Sequence, residues 1–593
     1  MRLQEYLKDH RLITDGAMGT YYEKKYTVKS GLAELENLNA PDKIKQIHLD
    51  YIHSGARLIR TNTFACNTTF LDNIEEVKAC VKAGYRAAVE AVEVSGEDVV
   101  IAADLGPIPE MDFEEEEHIL EEYKIICDTF LEQGADCFVF ETQSDFHYLE
   151  PVTAYLKKKA DVFIIVQFSC DKSGYTKSGL SMERIIQTAA YMEQIDAYGF
   201  NCGVEAAHLY QMLKDVTFPN EKYVTALPNA GYPYTLRGKT IYSSNEEYYV
   251  EMMEKIAVLG INILGGCCGT TPSHIEKISG HLEKIPLAKK KIGKVATEES
   301  RGKKSEFERK LSRGEKAFIV ELDPPFGINT DKVMEGSRRL KRAGVDLITL
   351  ADSPMARPRM DAMQLAAVVQ RETGVAVMPH ICCRDKNVIA LRSVMLGAYM
   401  NEIRHFLLVT GDPIPREARG HIKGVFDFNS IRFMEYVREM NRDVFQEEPV
   451  LYGGALNYHG ANPDAIIRRM QQKTQSGCFC FLTQPVYSKE DIERLAYIKE
   501  HIDTKLICGI MPLVSYKNAR FVANEMPGIF VPEEIVARYR EDMSRAEAEA
   551  VAAEISLELA EELKDVADGY YFMTPFNRAG LIAGIIEKIK ETI

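Results

Sequence analysis

Three cysteines carry the most specific chemistry in this sequence: Cys267 and Cys268 within Gly265-Gly-Cys-Cys-Gly-Thr270, and Cys202 within Asn201-Cys-Gly203. Thiolates are soft ligands that suit zinc, and three protein ligands leave a fourth position open, the pattern of catalytic rather than closed structural zinc. A cation held this way lowers the pKa of an incoming thiol and keeps it nucleophilic at neutral pH. Chemistry on a thiol is therefore the first expectation. For Cys267 and Cys268 alone, a buried pair beside a tight Gly-Gly turn is the plain alternative; Cys202, also next to glycine, favours ligation.

A carboxylate set accompanies the thiols. Asp15 lies in Thr14-Asp-Gly-Ala-Met-Gly-Thr20 and Glu141 in Phe140-Glu-Thr142, each just after a β-rich run. Carboxylates at such positions accept hydrogen bonds from an ammonium group, while N–H groups of glycine-rich turns hold a carboxylate. A helix cap or turn is the alternative role for either acid. In the second half, Glu321-Leu-Asp-Pro-Pro325 ends a strand candidate, with two prolines stopping the strand. Asp412 follows in Thr410-Gly-Asp-Pro413 and Gln484 in Leu482-Thr-Gln-Pro485. Two acids and an amide suit a polar heterocycle with several donors and acceptors, although Gly-Asp-Pro is also ordinary turn chemistry.

These side chains need a frame. In the first half, β-rich runs occur at Arg11–Thr14, Arg57–Asn62, Val99–Ala103, Cys137–Phe140, Val162–Phe168, Ala197–Asn201, Tyr223–Leu227 and Ile261–Leu264. Amphipathic helical stretches separate them, among them Pro41–Ser54, Asn73–Val94 and Met182–Gln194. The second half repeats the rhythm at Ala317–Leu322, Leu347–Leu350, Val375–Pro379, His405–Val409, Leu451–Ala455, Cys478–Thr483, Leu506–Ile510 and Gly569–Met573. Eight strands alternating with helices in each half predict an α/β protein of two (β/α)8 TIM barrels in tandem, with a doubly wound sheet as the alternative. Both halves place polar, non-periodic residues just after the strands, where such barrels build active sites. Cys202 follows the sixth strand and Cys267 and Cys268 the eighth, so one rim gathers all three. The expected domains are 1–285 and 307–593, joined by a charged linker at 286–306, with Phe307 and Leu311 opening a helix of the second domain.

Bulk properties set outer limits. The chain has 593 residues, 46% of them apolar, enough for two large cores. Lys plus Arg number 72 against 88 Asp plus Glu, for a net charge of −16, which argues against general binding to nucleic acid or to a membrane surface. No apolar run approaches the roughly 20 residues that span a bilayer, and the start is too polar for a signal peptide, so a cytoplasmic protein is expected. Thirteen cysteines without short regular spacing do not read as a disulfide scaffold. Most, including the adjacent Cys382 and Cys383, read as buried structural thiols. There is neither a dinucleotide glycine fingerprint nor a phosphate loop, Arg237-Gly-Lys-Thr having only the end of one. The acidic run Glu114–Glu117 reads as a solvated face or helix start.

Distributed motifs now support a resemblance. Asp15-Gly-Ala-Met-Gly-Thr20, Arg60-Thr-Asn-Thr-Phe64 and Gly265-Gly-Cys-Cys-Gly-Thr-Thr-Pro272 make the first half resemble the homocysteine S-methyltransferase family. The resemblance implies zinc on Cys202, Cys267 and Cys268, recognition of the homocysteine amino group by Asp15 and Glu141, and methionine as product. The cobalamin-binding Asp-x-His-x-x-Gly motif is missing, which favours a sulfonium donor, S-methylmethionine or S-adenosylmethionine, over methyltetrahydrofolate with a corrinoid partner.

From about Phe307 onward the chain resembles methylenetetrahydrofolate reductase, a flavin-binding barrel using FAD and NAD(P)H. The resemblance puts the catalytic acid on Glu321, the flavin-tuning and folate-proximal acid on Asp412 and a folate-contacting amide on Gln484. Tyr516 becomes the aromatic partner of the folate and Arg578 a folate or rim contact. His380 and Arg384, in Pro379-His-Ile-Cys-Cys-Arg384, help shape the FAD site, with a structural histidine as the alternative for His380. Glu321-Leu-Asp-Pro-Pro325 departs from the family's more aromatic Glu-Phe-Phe-Pro-Pro, as does Leu350-Ala-Asp-Ser-Pro-Met-Ala-Arg357 from its usual turn. The whole therefore resembles bifunctional homocysteine S-methyltransferase and methylenetetrahydrofolate reductase. One barrel acting only as a binding or regulatory module is the competing expectation. Copies of such reductases associate, so a homo-oligomer is a further one.

Overall fold

The computed structural model describes residues 3–26, 31–109, 116–236, 239–242, 245–293, 304–415, 421–460, 462–526 and 528–592. Residues 294–303 of the charged linker, the phosphate-loop-like Arg237-Gly238 and the start of the acidic run at Glu114 fall outside them. The chain divides into two compact units, Met1–Thr297 and Glu298–Ile593.

The first unit contains β1 (Leu12–Ile13), β2 (Leu58–Arg60), β3 (Val100–Leu105), β4 (Cys137–Gln143), β5 (Phe163–Phe168), β6 (Ala197–Glu205), β7 (Tyr223–Asn229), the hairpin β8 (Pro233–Leu236) and β9 (Lys239–Tyr242), and β10 (Ile263–Leu264). Its main strands are parallel and run β1-β10-β7-β6-β5-β4-β3-β2. A bridge from Thr14 to Leu58 brings the first strand back to the second. The circular order overturns the doubly wound alternative, in which the strand order would reverse at a switch point.

Side-chain alternation sorts each strand between two cores. Phe138 and Phe140 of β4 face the helix layer, whereas Cys137 and Val139 join Leu58, Val100, Ala102, Phe163 and Ile165 inside the barrel. The helix layer follows from local signals. The helix Ile74–Ser95 starts where the Asn73 side chain accepts the N–H groups of Glu75 and Glu76, and stops at Gly96, φ 68°. Between these caps Val77, Cys80, Val81, Tyr85, Ala88 and Ala91 form one buried stripe.

The second unit is a closed barrel of β11 (Ala317–Leu322), β12 (Leu347–Leu350), β13 (Val377–Cys382), β14 (His405–Val409), β15 (Leu451–Leu456), β16 (Cys480–Pro485), β17 (Lys505–Ile510) and β18 (Gly569–Met573). A short helix plugs the floor of each barrel. Leu3 and Leu7 of Leu3–Asp9 enter the first interior, and Phe307 and Leu311 of Glu306–Ser312 enter the second. Burying each such side chain contributes about 1.5–3 kcal/mol.

Two strands sit later than the sequence spacing predicts. The helix before β13 ends at Gly374 (φ 65°), and Thr373 Oγ1 caps the Val375 N–H, so pairing begins only at Val377. Before β16, Gly477 (φ 94°) and a Cys478 N–H bond back to Lys473 still belong to a helix end. His380 and Gln484 are consequently strand residues rather than loop residues. The hairpin β8–β9 was not anticipated. Among the described residues no helix is long and apolar enough to cross a membrane.

Candidate active sites

In the first barrel, alternation continues past the apolar interior into a polar layer at the strand C-termini. Arg60 stands two residues beyond Leu58, Asp104 two beyond Ala102, Glu141 two beyond Val139 and Gln167 two beyond Ile165. All four are buried. Arg60 organises this layer. Its Nε donates to Asp15 Oδ1 at 2.8 Å and its Nη1 to Glu141 Oε2 at 2.8 Å. Its Nη2 donates to the carbonyls of Gly16 and Gly266, both at 2.9 Å. One guanidinium thus joins β2, β4, the turn after β1 and the residue preceding Cys267. The two acids expected to receive an ammonium group thus share one guanidinium as a common partner.

Above this layer the three cysteines meet. Their sulfurs all lie within 4.8 Å of one another, the only such metal-capable cluster among the described residues. Cys202 and Cys268 are 3.7 Å apart, close to the ~3.8 Å edge of a tetrahedron with 2.3 Å zinc–sulfur bonds. Backbone geometry enforces the meeting. Cys202 adopts φ 55° and Gly203 φ 65°. A Cβ on Gly203 would lie 2.1 Å from the Cys170 carbonyl oxygen, and one on Gly265 would lie 1.9 Å from Thr14 Oγ1. Cys202 interrupts the β6 ladder, whose register shifts between Asn201 and Glu205.

The Cys202 thiol is held far below its usual pKa by hydrogen bonds from Cys267 and Cys268, whose own thiols are pushed up by the same contacts. Three converging soft sulfurs are a donor set that a divalent cation would complete, so the donor chemistry fits zinc. Asn201 Nδ2 donates to Glu141 Oε2 at 2.8 Å and lies 3.9 Å from Cys267 Sγ, linking the polar layer to the thiols. Tyr242, on β9, lies beside Cys268 and packs over Gly269. Ten other cysteines are free and buried, including Cys382 and Cys383.

In the second barrel Glu321, His380, Gln484 and Tyr571 share the interior face of β11, β13, β16 and β18 by alternation with Ile319, Met378, Leu482 and Gly569. Tyr571 Oη donates to Glu321 Oε2, and His380 Nε2 lies 3.8 Å from that oxygen. Burial raises the Glu321 pKa, with the Tyr571 hydrogen bond opposing part of the rise. Burial likewise lowers His380, to about 4. Asp412 Oδ2 accepts the Met355 N–H at 2.6 Å. The buried Arg384 pairs with Asp385 at 2.6 Å and reaches the carbonyls of Asp412 and Ser353 at 3.2 and 3.3 Å, tying together the turns after β12, β13 and β14.

Gln484 lies half-buried at the end of β16. Tyr516, after β17, accepts from Arg520 at 3.3 Å, and Arg578, after β18, pairs with Glu549 at 3.0 Å. Backbone strain concentrates on the same rim, with positive φ at Ser353, Met355, Ala356, Phe576 and Asn577. A flavin fits two features here: His380 Nε2 is buried without a hydrogen-bond partner among the described residues, and a Cβ on Gly411 would lie 2.0 Å from Cys382 Sγ.

Sequence comparison assigns both halves. The family model for homocysteine S-methyltransferase matches residues 12–282, and that for methylenetetrahydrofolate reductase matches 306–590. Each half of the chain belongs to one of these families. The methyltransferase half is similar to methionine synthases, with 24% identity over 311 residues to that of Mycobacterium tuberculosis (strain ATCC 25618 / H37Rv), and 26% over 298 residues to that of Mycobacterium leprae (strain TN). These matches take in 49% and 47% of this chain but only 26% and 25% of the relatives, so the chain spans about a quarter of their length. Crystal structures of the homocysteine methyltransferase MmuM from Escherichia coli align with 47% of this chain. The oxidized form has 20% identity, 98% coverage of that chain and a TM-score of 0.38, and the metallated form 19%, 99% and 0.38.

Arg60, Asp104, Tyr242 and Tyr571 were given no role from the sequence. Arg60 lies in a motif quoted above, and Asp104 and Tyr571 keep strand parity with their neighbours. What identifies them is convergence across strands.

Proposed function

We propose that the chain is a bifunctional enzyme that methylates homocysteine to methionine in its first half and reduces 5,10-methylenetetrahydrofolate to 5-methyltetrahydrofolate in its second. The observation that carries the reading is the three-cysteine cluster at the C-terminal rim of the first barrel. Cys202, Cys267 and Cys268 would hold zinc, which when bound supplies the Lewis acidity that keeps a substrate thiol ionised. The polar layer beneath supplies the charge that orients an amino acid. A sulfonium, S-methylmethionine or S-adenosylmethionine, is the favoured donor. The thiolate sulfur forms a bond to the methyl carbon as the carbon–sulfonium bond breaks, and the electron pair leaves on a neutral thioether. No proton is needed, whereas the amine of a folate donor would leave poorly without one.

In the reductase half, His380 and Arg384 would hold FAD, which when bound passes hydride from NAD(P)H to the folate. Glu321, kept protonated by burial, gives its proton to the folate nitrogen as the five-membered ring opens, and regains one from solvent. Asp412 places negative charge at the β14 end, disfavouring further electron density beside it. Gln484 and Tyr516 serve the pterin and its benzoyl group, and Arg578 the rim.

Steady-state assays of purified protein test both activities. Methionine is measured with homocysteine and S-methylmethionine, S-adenosylmethionine, or methyltetrahydrofolate with and without a corrinoid. Methionine from a sulfonium alone is the expected result. Formation only with methyltetrahydrofolate plus corrinoid would overturn the donor assignment, and a preparation with neither zinc nor flavin would overturn the function.

A further inference from the structure

The layers inside the second barrel root a tyrosine directly beneath Glu321. In the β11–β18 register Tyr571 pairs with Ile319, two residues below the acid. Two residues of parallel strand rise about 6.6 Å, close to the reach of a phenol side chain, so a tyrosine one layer down delivers its hydroxyl to the carboxyl above. Tyr571 is 5% exposed and packs in the interior cluster with Ala317, Ile319, Leu347, Met378 and Leu482. Close packing therefore holds the ring, and the hydroxyl with it.

The two oxygens of Glu321 are not equivalent. Oε2 accepts from Tyr571 Oη and has His380 Nε2 3.8 Å away. Oε1 has no partner among the described residues, and the side chain, near the C-terminal end of β11, keeps 23% of its surface exposed. A protonated carboxyl accepts through its carbonyl oxygen and donates through its hydroxyl. The Tyr571 bond thus selects Oε2 as the carbonyl oxygen and leaves the acid proton on Oε1, the oxygen free to meet a substrate.

We propose that Tyr571 is a positioning residue for the reductase reaction: it keeps the acid proton of Glu321 on Oε1 and stabilises the carboxylate left when that proton is given to the folate. This rests on the reading of the second half as a working reductase. The Oε1–H bond breaks as an N–H bond forms on the folate nitrogen, which takes up the electron pair of the ring C–N bond. Glu321 is then a carboxylate, and the hydrogen bond from Tyr571 becomes charge-assisted, about twice as strong as a neutral one. A donor that favours the carboxylate over the acid pulls the Glu321 pKa down, against the larger effect of burial. The other titratable groups facing this carboxyl are His380 on β13, which burial keeps neutral, and Asp323 in the turn after β11, whose own pKa burial raises.

Full-length, FAD-loaded protein tests this with a readout besides turnover. Infrared difference spectra across a pH series follow the Glu321 carboxyl, its band identified by its loss in Glu321→Gln. Tyr571→Phe keeps the ring and its packing, and should move that titration to higher pH than in wild type. By stopped flow, reoxidation of the reduced flavin by methylenetetrahydrofolate should slow by about tenfold or more in this variant. Reduction of the flavin by NAD(P)H, a step without the folate nitrogen, should stay within about twofold. Added to Glu321→Gln, Tyr571→Phe should slow reoxidation by no more than about twofold further, since it acts through the carboxyl. A Glu321 titration at the wild-type pH, equal slowing of both half-reactions, or full additivity in the double variant overturns the proposal. Wild type that holds flavin yet is not reoxidised by methylenetetrahydrofolate overturns the reductase reading itself, and the infrared comparison then still decides whether Tyr571 sets the state of Glu321.

Discussion

Glu321 shows how a barrel interior makes an ordinary carboxyl hold its proton more tightly. The residue lies at the end of an interior-facing series, with one donor, Tyr571, and a histidine that burial keeps neutral. Desolvation is the largest influence on its pKa and raises it. The unfolded chain then releases this proton at a lower pH than the folded one, so between the two pKa values stability falls as pH rises. Glu321→Gln removes that liability. The melting-temperature gap between variant and wild type should be smallest at acid pH, below the ordinary glutamate value of 4.5, and widen as pH rises above it in a thermal-shift series. Reductase turnover should fall by about 10²-fold or more, the usual contribution of a positioned general acid. A gap that stays constant with pH would show that Glu321 is not the buried, proton-retaining group described here.

At the scale of elements, strand β6 decides whether the thiol site exists. Most of β6 was legible in the sequence, since Ala197–Asn201 is a short β-rich run between helical stretches. So were the other barrel strands and the cysteine rim, because short β-rich runs and rim placement are local patterns. The distortion that aims Cys202 was not legible, because a left-handed residue other than glycine leaves no local signature. Arg60, Asp104 and Tyr571 escaped for a related reason. Each is one polar residue at a strand end, and only the register of neighbouring strands brings Asp104 to Glu141 or Tyr571 to Glu321. The turn at Gly203 offers a direct test. A Cβ there would collide with the Cys170 carbonyl at 2.1 Å, and φ 65° is itself unfavourable for alanine. Gly203→Ala should displace Cys202 and lower bound zinc well below the wild-type stoichiometry by elemental analysis. The loss of melting temperature should be modest, because the barrel interior from Ala197 downward is untouched. Full zinc retention would mean that β6 reshapes without moving the sulfur.

At the scale of the whole molecule, each half is built to stand alone. Each has its own ring of eight parallel strands, its own floor-plugging helix and its own apolar clusters, drawn from residues of one half only. Two complete cores predict that damage to one site leaves the other chemistry intact. Cys267→Ser replaces a soft thiolate by a hydroxyl that stays protonated at neutral pH, in a position where Tyr249 and Arg60 already fix the preceding Gly265 and Gly266 carbonyls. Methionine formation should fall by about 10²-fold or more while flavin-dependent reduction of methylenetetrahydrofolate stays within about twofold. Glu321→Gln should give the reciprocal result, with zinc content unchanged. A molecule in which either substitution depresses both activities would have its two halves energetically coupled, since independent sites leave no route for a rim substitution in one barrel to alter turnover in the other.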